Sequence, residues 1–350
     1  MNKVHNFSAG PAILPQEAIE AGKDALSNFA NTGLSILEVS HRSKEYVAVM
    51  DEARALVKKL WNLNDDYEVM YLHGGASTQF LMVAYNLLNT KACYIDTGVW
   101  SSKSIKEAGL FGDVDIIASG KDKNYTYIPK DYTIPADADY LHVTSNNTIY
   151  GSQMHNFPET SLPLVCDMSS DIFSRKIDAN KFDIMYAGAQ KNLGPAGATL
   201  VVVKKDVLGN VSRQIPSMMD YKIHMSKGSM FNTPPAFPVY VVLQTLKWIE
   251  KTGIEAIESR NRAKAELLYN EIDNNDSFVG TVAKEDRSNM NATFLLNDDS
   301  QNEAFLSACQ EANINGIKGH RSVGGFRASM YNALELDSVQ TLVNVMQTFK

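Results

Sequence analysis

Basic residues are in short supply in this sequence. Lys and Arg number 33 against 40 Asp and Glu, a formal net charge of −7. A general nucleic-acid binder needs a basic face to neutralise phosphates, so that class is excluded; a local cluster of cations for one small anion is not. Cysteine is scarcer still. Cys93, Cys166 and Cys309 have no CxxC spacing and cannot all pair, which points to a reducing compartment and a cytoplasmic protein. No apolar run approaches the ~18 residues of a membrane span, so no membrane association is expected. The opening MNKVHNFSAGPAILP lacks the roughly 7–15-residue apolar core of a signal peptide. Internal repeats, low-complexity tracts and long linkers are also missing. What remains is an ordinary globular composition, 44% hydrophobic and 21% charged over 350 residues. That length suits one large domain and a smaller one.

Strand-like and helix-like runs alternate through the first two-thirds. The apolar runs at 68–72, 92–96, 114–118, 140–144, 163–167 and 199–203 read as buried strands. They are continuous rather than alternating, as strands covered on both faces should be. Helical stretches lie between them, for example at 77–88 and 100–109. This order predicts an α/β fold with a largely parallel sheet, whose ligands bind at the carboxyl ends of the strands. After Pro238 the pattern changes. A helix from Val239 to about Lys251 leads into a charged helix near 255–273, then a strand (NATFLLN), a helix, a second strand-like run (GFRASMYN) and a closing helix. The closing helix sets Leu336, Val339, Val343, Met346 and Phe349 at helical spacing, a core-facing stripe. The expected division is an N-terminal arm (1–14), a large domain (15–250) and a small C-terminal α+β domain (251–350).

Two segments carry the chemistry. In PLVCDMSS, Asp167 ends an apolar run; in DIMYAGAQKNLGPAGATLVVV, Lys191 sits between two apolar runs. A lysine held near the interior is desolvated, which yields the neutral amine a Schiff base requires. A carboxylate on a neighbouring strand end can hold a pyridine nitrogen protonated and make the ring an electron sink. The pair therefore fits pyridoxal phosphate (PLP), although a solvated loop lysine and a helix-capping aspartate have the same local look. Three further features point the same way. HGGASTQF at 73–80 puts two glycines after a strand and opens a helix, so free N–H groups and the helix dipole converge on a phosphate-sized site. Trp100 follows the next strand and could stack on a ring or simply pack in the core. Thr148 offers a hydroxyl at another strand end, or serves a turn.

Anion recognition would fall to arginine, whose planar fork matches carboxylate and phosphate. Two His-Arg pairs, His41-Arg42 and His320-Arg321, and Arg327 are the candidates; solvated surface charge is the plain alternative. His5, His73, His142, His155 and His224 show no metal-binding spacing, and no metal site is expected.

The segments NFSAGPAILP, EVSHRSKEY (38–46), HGGASTQF, DTGVWS (96–101), AGAQKNLGPAG (187–197), FNTPP (231–235) and GHRSVGGFRASMYNA (319–333) run nearly end to end. Together they resemble the phosphoserine aminotransferase family, in the class V subgroup of fold-type I PLP enzymes. The resemblance implies a seven-stranded, mainly parallel sheet and a homodimer with shared active sites. It implies that Lys191 carries the cofactor, Asp167 pairs with its ring nitrogen, Trp100 stacks on the ring and Thr148 contacts it. Ala76, Ser77 and Gln190 would hold the cofactor phosphate, with Asn232 and Thr233 from the second subunit. Many members carry arginine where this chain has Ser77, which leaves the grip there to backbone N–H groups. Arg327 would take the substrate α-carboxylate, with His41, Arg42, His320 and Arg321 on the distal phosphate or γ-carboxylate and Ser8 near the same pocket. The implied reaction converts 3-phosphohydroxypyruvate and glutamate to O-phosphoserine and 2-oxoglutarate by ping-pong kinetics, in serine biosynthesis and optionally pyridoxine biosynthesis. The rival readings are another class V enzyme, either a small-substrate transaminase or a cysteine desulfurase, and a PLP-binding sensor without turnover.

Overall fold

The computed structural model describes residues 3–349. The chain opens with a two-residue strand β1 (His5–Asn6) and helices α1 (Gln16–Ser27) and α2 (Lys44–Trp61). Alternation then sets in: β2 (Tyr67–Leu72), α3 (Gly75–Leu87), β3 (Lys91–Asp96), α4 (Val99–Ala108) and β4 (Asp113–Ser119). Strands β5 (Leu141–Thr144), β6 (Leu164–Asp167), β7 (Ile184–Gly188) and β8 (Thr199–Lys204) complete a seven-stranded sheet in the order β2-β8-β7-β6-β5-β3-β4. Only β8 runs against the others, so the sheet is mainly parallel as expected.

The continuous apolar runs have a direct cause. Along β2, Val69 and Tyr71 enter one core while Met70 and Leu72 enter another on the opposite face; along β8, Leu200 and Val202 part from Val201 and Val203 in the same way. Both faces of the sheet are covered, so a strand has no polar side to show. The exception is β4. The sequence reads 114–118 as a buried strand, but β4 is the sheet edge, pairing with β3 alone, and Ile116 is 47% exposed. The apolar run that precedes Lys191, 184–188, forms β7 between β6 and β8.

Beyond the short helix α5 (Tyr221–Ser226), α6 (Ala236–Thr252) begins three residues earlier than the sequence suggests. Pro238 lies in its first turn, where a missing N–H breaks no helical bond. Helix α7 (Ile254–Asn274) divides its buried face between two cores. Ile257 belongs to the core of the large sheet; Ala265, Leu268 and Ile272 belong to the C-terminal core. That second core is built on β9 (Phe278–Gly280), β10 (Asn291–Leu296), helix α8 (Asn302–Glu311), β11 (Ile314–Asn315), β12 (Phe326–Ser329) and helix α9 (Leu336–Thr348), with β9, β10 and β12 in an antiparallel sheet. On α9, Val339, Val343 and Met346 are buried, whereas Leu336, expected in the stripe, is exposed at the first helical residue. The N-terminal segment joins this core: β1 pairs in parallel with β11, and Phe7 is fully buried there.

Candidate active site

The carboxyl ends of the parallel strands open into a cleft of about 370 Å³. Asp167 is the last residue of β6, Lys191 follows β7 by three residues, and the Gly74-Gly75 turn leaves β2. Each functional side chain is thus placed by the end of a buried strand, the most rigid position the fold offers.

Lys191 is partly buried and lines the cleft. Nζ donates to Thr148 Oγ1 at 2.8 Å and lies 5.3 Å from the centre of the Trp100 ring. Desolvation pulls the amine down to about 8; Arg327 pushes the same way, and the Asp167 and Asp171 carboxylates oppose it. Gly10, from the N-terminal segment, packs so close that a Cβ there would sit 3.3 Å from Lys191 Cγ, at a φ of +146° that side chains rarely adopt.

Asp167 is buried and accepts from Ser169 N (2.9 Å) and Ser169 Oγ (2.6 Å), both on Oδ1. Oδ2 receives no hydrogen bond from the described residues and is open to a cationic N–H donor. Burial pushes the carboxyl above its ordinary range, with Lys191 and the Ser169 bonds pulling it back. Trp100 stands in the first turn of α4, and that turn is fixed by Asp96, the last residue of β3. Asp96 accepts from Ser101 (2.8 Å), Ser102 (2.9 Å), Ser119 (3.1 Å) and Tyr125 (3.0 Å), while the N–H groups of Thr97 and Gly98 donate to Ser101 Oγ.

Helix α3 starts at Gly75 with no side-chain cap, after Gly74 at φ +91° and Gly75 at φ +67°. Its first N–H groups therefore face the cleft beside Ala76 and Ser77, a cradle for an anion. Across the cleft, Arg327 has no acidic partner among the described residues. Its Nη1 donates weakly to the Thr148 carbonyl (3.4 Å) and its buried Nε is without an acceptor.

The chain matches the family described as "Aminotransferase class-V" over residues 4–342. A phosphoserine aminotransferase of Flavobacterium psychrophilum is 60% identical over 349 residues, 99% of this chain and 98% of that protein. Among solved structures, the phosphoserine aminotransferase of Bacillus circulans subsp. alkalophilus is 44% identical, with a TM-score of 0.96 over 99% of this chain and 98% of that one. The PLP-bound enzyme of Trichomonas vaginalis is 35% identical, with a TM-score of 0.94 over 99% and 100%. The chain belongs to the phosphoserine aminotransferases of class V. As a member it has the fold-type I architecture and is a transaminase whose cofactor is PLP.

The residues of the cleft fit that cofactor: a desolvated amine, a buried carboxylate with one oxygen unoccupied, an aromatic face near the amine and an uncapped helix start. Ala76, Ser77, Trp100, Thr148, Asp167, Gln190, Lys191, His320 and Arg327 all line the one cleft. The remaining candidates do not. Ser8 packs against Gly316, although its neighbours Ala9 and Gly10 line the cleft. Arg321 is exposed on the loop beside His320. His41 and Arg42 occupy the turn before α2, whose N-cap is Ser43. Asn232 lines a separate recess of about 210 Å³ behind Gly74, and the Thr233 carbonyl is bonded to His73 Nε2 at 2.9 Å. Ser169, Gly10 and Asp96, which support Asp167, Lys191 and Trp100, were not singled out from the sequence. The signal was available for two of them, Ser169 in DMSS and Asp96 in DTGVWS.

One consequence is a pH dependence of cofactor capture. Only the neutral amine attacks the PLP aldehyde, so the rate of PLP uptake by cofactor-free protein should climb as pH rises through about 8 and level off above it. In Asp167→Asn the carboxylate that holds the ammonium form is gone, and the midpoint should move to lower pH. Stopped-flow absorbance from pH 6 to 10 reads both curves; a flat profile would mean the Lys191 amine is already neutral at pH 6.

Proposed function

We propose that the enzyme transfers the amino group of glutamate to 3-phosphohydroxypyruvate, giving O-phosphoserine and 2-oxoglutarate. The observation that carries the substrate class is Arg327, a largely buried guanidinium without an acidic partner among the described residues, in the same cleft as Lys191. Such a group awaits an anion, and its bidentate fork suits an α-carboxylate. PLP, when bound, supplies an electron sink that stabilises the carbanion left by loss of an α-proton. Lys191, Asp167, Thr148, Trp100, Gln190, Ala76 and Ser77 would hold it, with the α3 N–H groups on its phosphate. Lys191 Nζ takes the proton from the α-carbon of glutamate in one half-reaction and gives a proton to the α-carbon of the keto acid in the other. Its lowered basicity keeps much of the amine neutral near pH 8. Thr148 Oγ1 holds that amine between transfers.

A homodimer with shared sites completes this reading. The segments that carry the absent residues also carry uncovered apolar side chains: Leu34 and Leu37 near His41-Arg42, Met218 and Phe231 near Asn232-Thr233. Covering a leucine is worth ~1.5–3 kcal/mol, so both segments favour contact with a second copy. The desulfurase alternative needs an accessible nucleophilic cysteine. Cys93, Cys166 and Cys309 are all buried, and burial raises each thiol, Cys309 to about 12. The unpaired thiols suit a cytoplasmic setting, and no helix among the described residues is long and apolar enough to cross a membrane. The division into arm (1–14), large domain (15–250) and small domain (251–350) goes with the same reading.

Distal phosphate recognition is assigned to Arg42, Arg321, His41 and His320. Losing one charge-assisted contact costs ~1.5–3 kcal/mol. Arg42→Ala or Arg321→Ala should therefore raise KM for 3-phosphohydroxypyruvate about tenfold or more and leave hydroxypyruvate nearly unaffected. Steady-state kinetics on both keto acids decides it; an unchanged ratio of kcat/KM values removes these arginines from the phosphate site.

A further inference from the structure

Behind the cleft, three buried asparagines join segments whose relative placement the chemistry depends on. Asn192 follows Lys191, and its Nδ2 donates to the Ile172 carbonyl at 2.6 Å, in the turn that leaves Asp167. Asn332 lies three residues beyond β12, the strand that bears Arg327. Its backbone N–H donates to Asn192 Oδ1 at 2.9 Å, and its Nδ2 to the Phe173 carbonyl at 2.9 Å. Asn261, on α7, donates to the Ser174 carbonyl at 2.9 Å and to Asn332 Oδ1 at 2.8 Å. Phe173 itself is held at φ +52°, a left-handed conformation costly for an aromatic residue, with its ring 4.4 Å from that of Trp61.

The strand end is pinned from other sides too. The buried Lys264 donates to the carbonyls of Met330 (2.9 Å) and Tyr331 (2.7 Å). Tyr331 OH donates to the Ala9 carbonyl at 2.7 Å, next to the glycine that packs on Lys191.

This joint lies where α7 passes from one core to the other. Apolar packing alone would let the two cores slide against each other, because it has no direction. Hydrogen bonds between buried amides and carbonyls fix register, and leaving any of them unmade is costly in a dry interior. We propose that the Asn192–Asn332–Asn261 clasp is a positioning device for the reaction, setting the Arg327 guanidinium relative to the Lys191 amine. The proposal rests on Arg327 as the carboxylate anchor. A displacement of ~1 Å between reacting groups can cost on the order of a hundredfold, so such a joint has a large lever on turnover.

The test is a double-mutant cycle in the holoenzyme with Asn332→Ala and Arg327→Lys. It reads Kd for glutarate, a dicarboxylate that cannot react, together with KM and kcat for glutamate and the melting temperature. Asn332→Ala should raise Kd and KM roughly tenfold. Arg327→Lys should raise them as well, and the double variant should bind no more weakly than Arg327→Lys alone, because one residue acts through the other. If Asn332→Ala does not fold, Asn261→Ala should show the same shift at roughly threefold, since Asn332 keeps its bonds to Asn192 and Phe173. A lower melting temperature with Kd and KM unchanged would overturn the clasp, and so would fully additive effects. If Arg327→Lys leaves glutarate binding untouched, the anchor and the clasp fail together; if it weakens binding and the asparagine variants do not, the clasp alone falls.

Discussion

Lys191→Ala is expected to lose the visible absorbance of lysine-bound PLP and to fall in turnover by about ten-thousandfold or more. Positioned acid–base groups contribute 10²–10⁴ on their own, roughly, and here the same amine also holds the cofactor. The fold should survive. Among the described residues Lys191 Nζ makes one side-chain hydrogen bond, to Thr148 Oγ1, and burial already disfavours its charged form, so little native interaction is lost with it. The melting temperature of the cofactor-free variant should therefore stay within a few degrees of the parent, about 1 kcal/mol or less. Absorbance spectra, single-turnover mixing with glutamate and calorimetry together decide it. Turnover close to the parent's would overturn the assignment, and a collapsed melting temperature would recast Lys191 as structural.

How much of this was legible in the sequence depends on the range over which each feature is determined. The strands of the large sheet were legible because burial on both faces writes an unbroken apolar run, as in TLVVV at 199–203. That rule misreads β4, whose run VDIIA looks alike although only one neighbour pairs with it; position within a sheet is decided by the other strands, not by the run. The early start of α6 was hidden by Pro238, read as a boundary when it sits in a first turn that tolerates it. Chain-distant pairings left no local mark. Nothing in HNF foretells that β1 pairs with residues 314–315 or that Phe7 enters the C-terminal core. The site behaves the same way. Lys191, Asp167 and Trp100 follow apolar runs, so their place at strand ends could be read, whereas the contacts among Asn192, Asn261 and Asn332 join residues far apart in the chain and are written in no local pattern, even where the segment itself is distinctive. Composition misleads at short range as well. A chain of net charge −7 gathers Lys191, His320 and Arg327 around one cleft, with Asp167 as the acid in its lining.

The other large effect expected is recovery of activity from two inactive parents. Within one chain, Asn232 and Thr233 sit behind the Gly74-Gly75 turn, against His73, and not in the cleft with Lys191. Pro234 and Pro235 stiffen the segment and hold the residues before them extended, so it can present two polar side chains across an interface. Phe231, 38% exposed beside them, packs edge-on against the His224 ring on one side and leaves the rest of its apolar surface uncovered in its own chain. In a two-fold dimer the same patch serves both subunits, so each cleft would receive Asn232 and Thr233 from its neighbour. Lys191→Ala subunits are expected to be inactive for want of the amine. Subunits with Asn232→Ala and Thr233→Ala together should lose PLP affinity and most activity at low cofactor concentration, since two donors to a phosphate are gone. Mixed and allowed to exchange, half the dimers are expected to be hybrids, each pairing an intact Lys191 with intact Asn232 and Thr233 at one of its two sites; activity should return to about a quarter of the parent enzyme's. Native mass spectrometry counts the hybrids while the assay runs at limiting PLP. If hybrids form in that proportion and remain as inactive as either parent, Asn232 and Thr233 act on their own chain, through His73 and the turn at Gly74, and the sites are not shared.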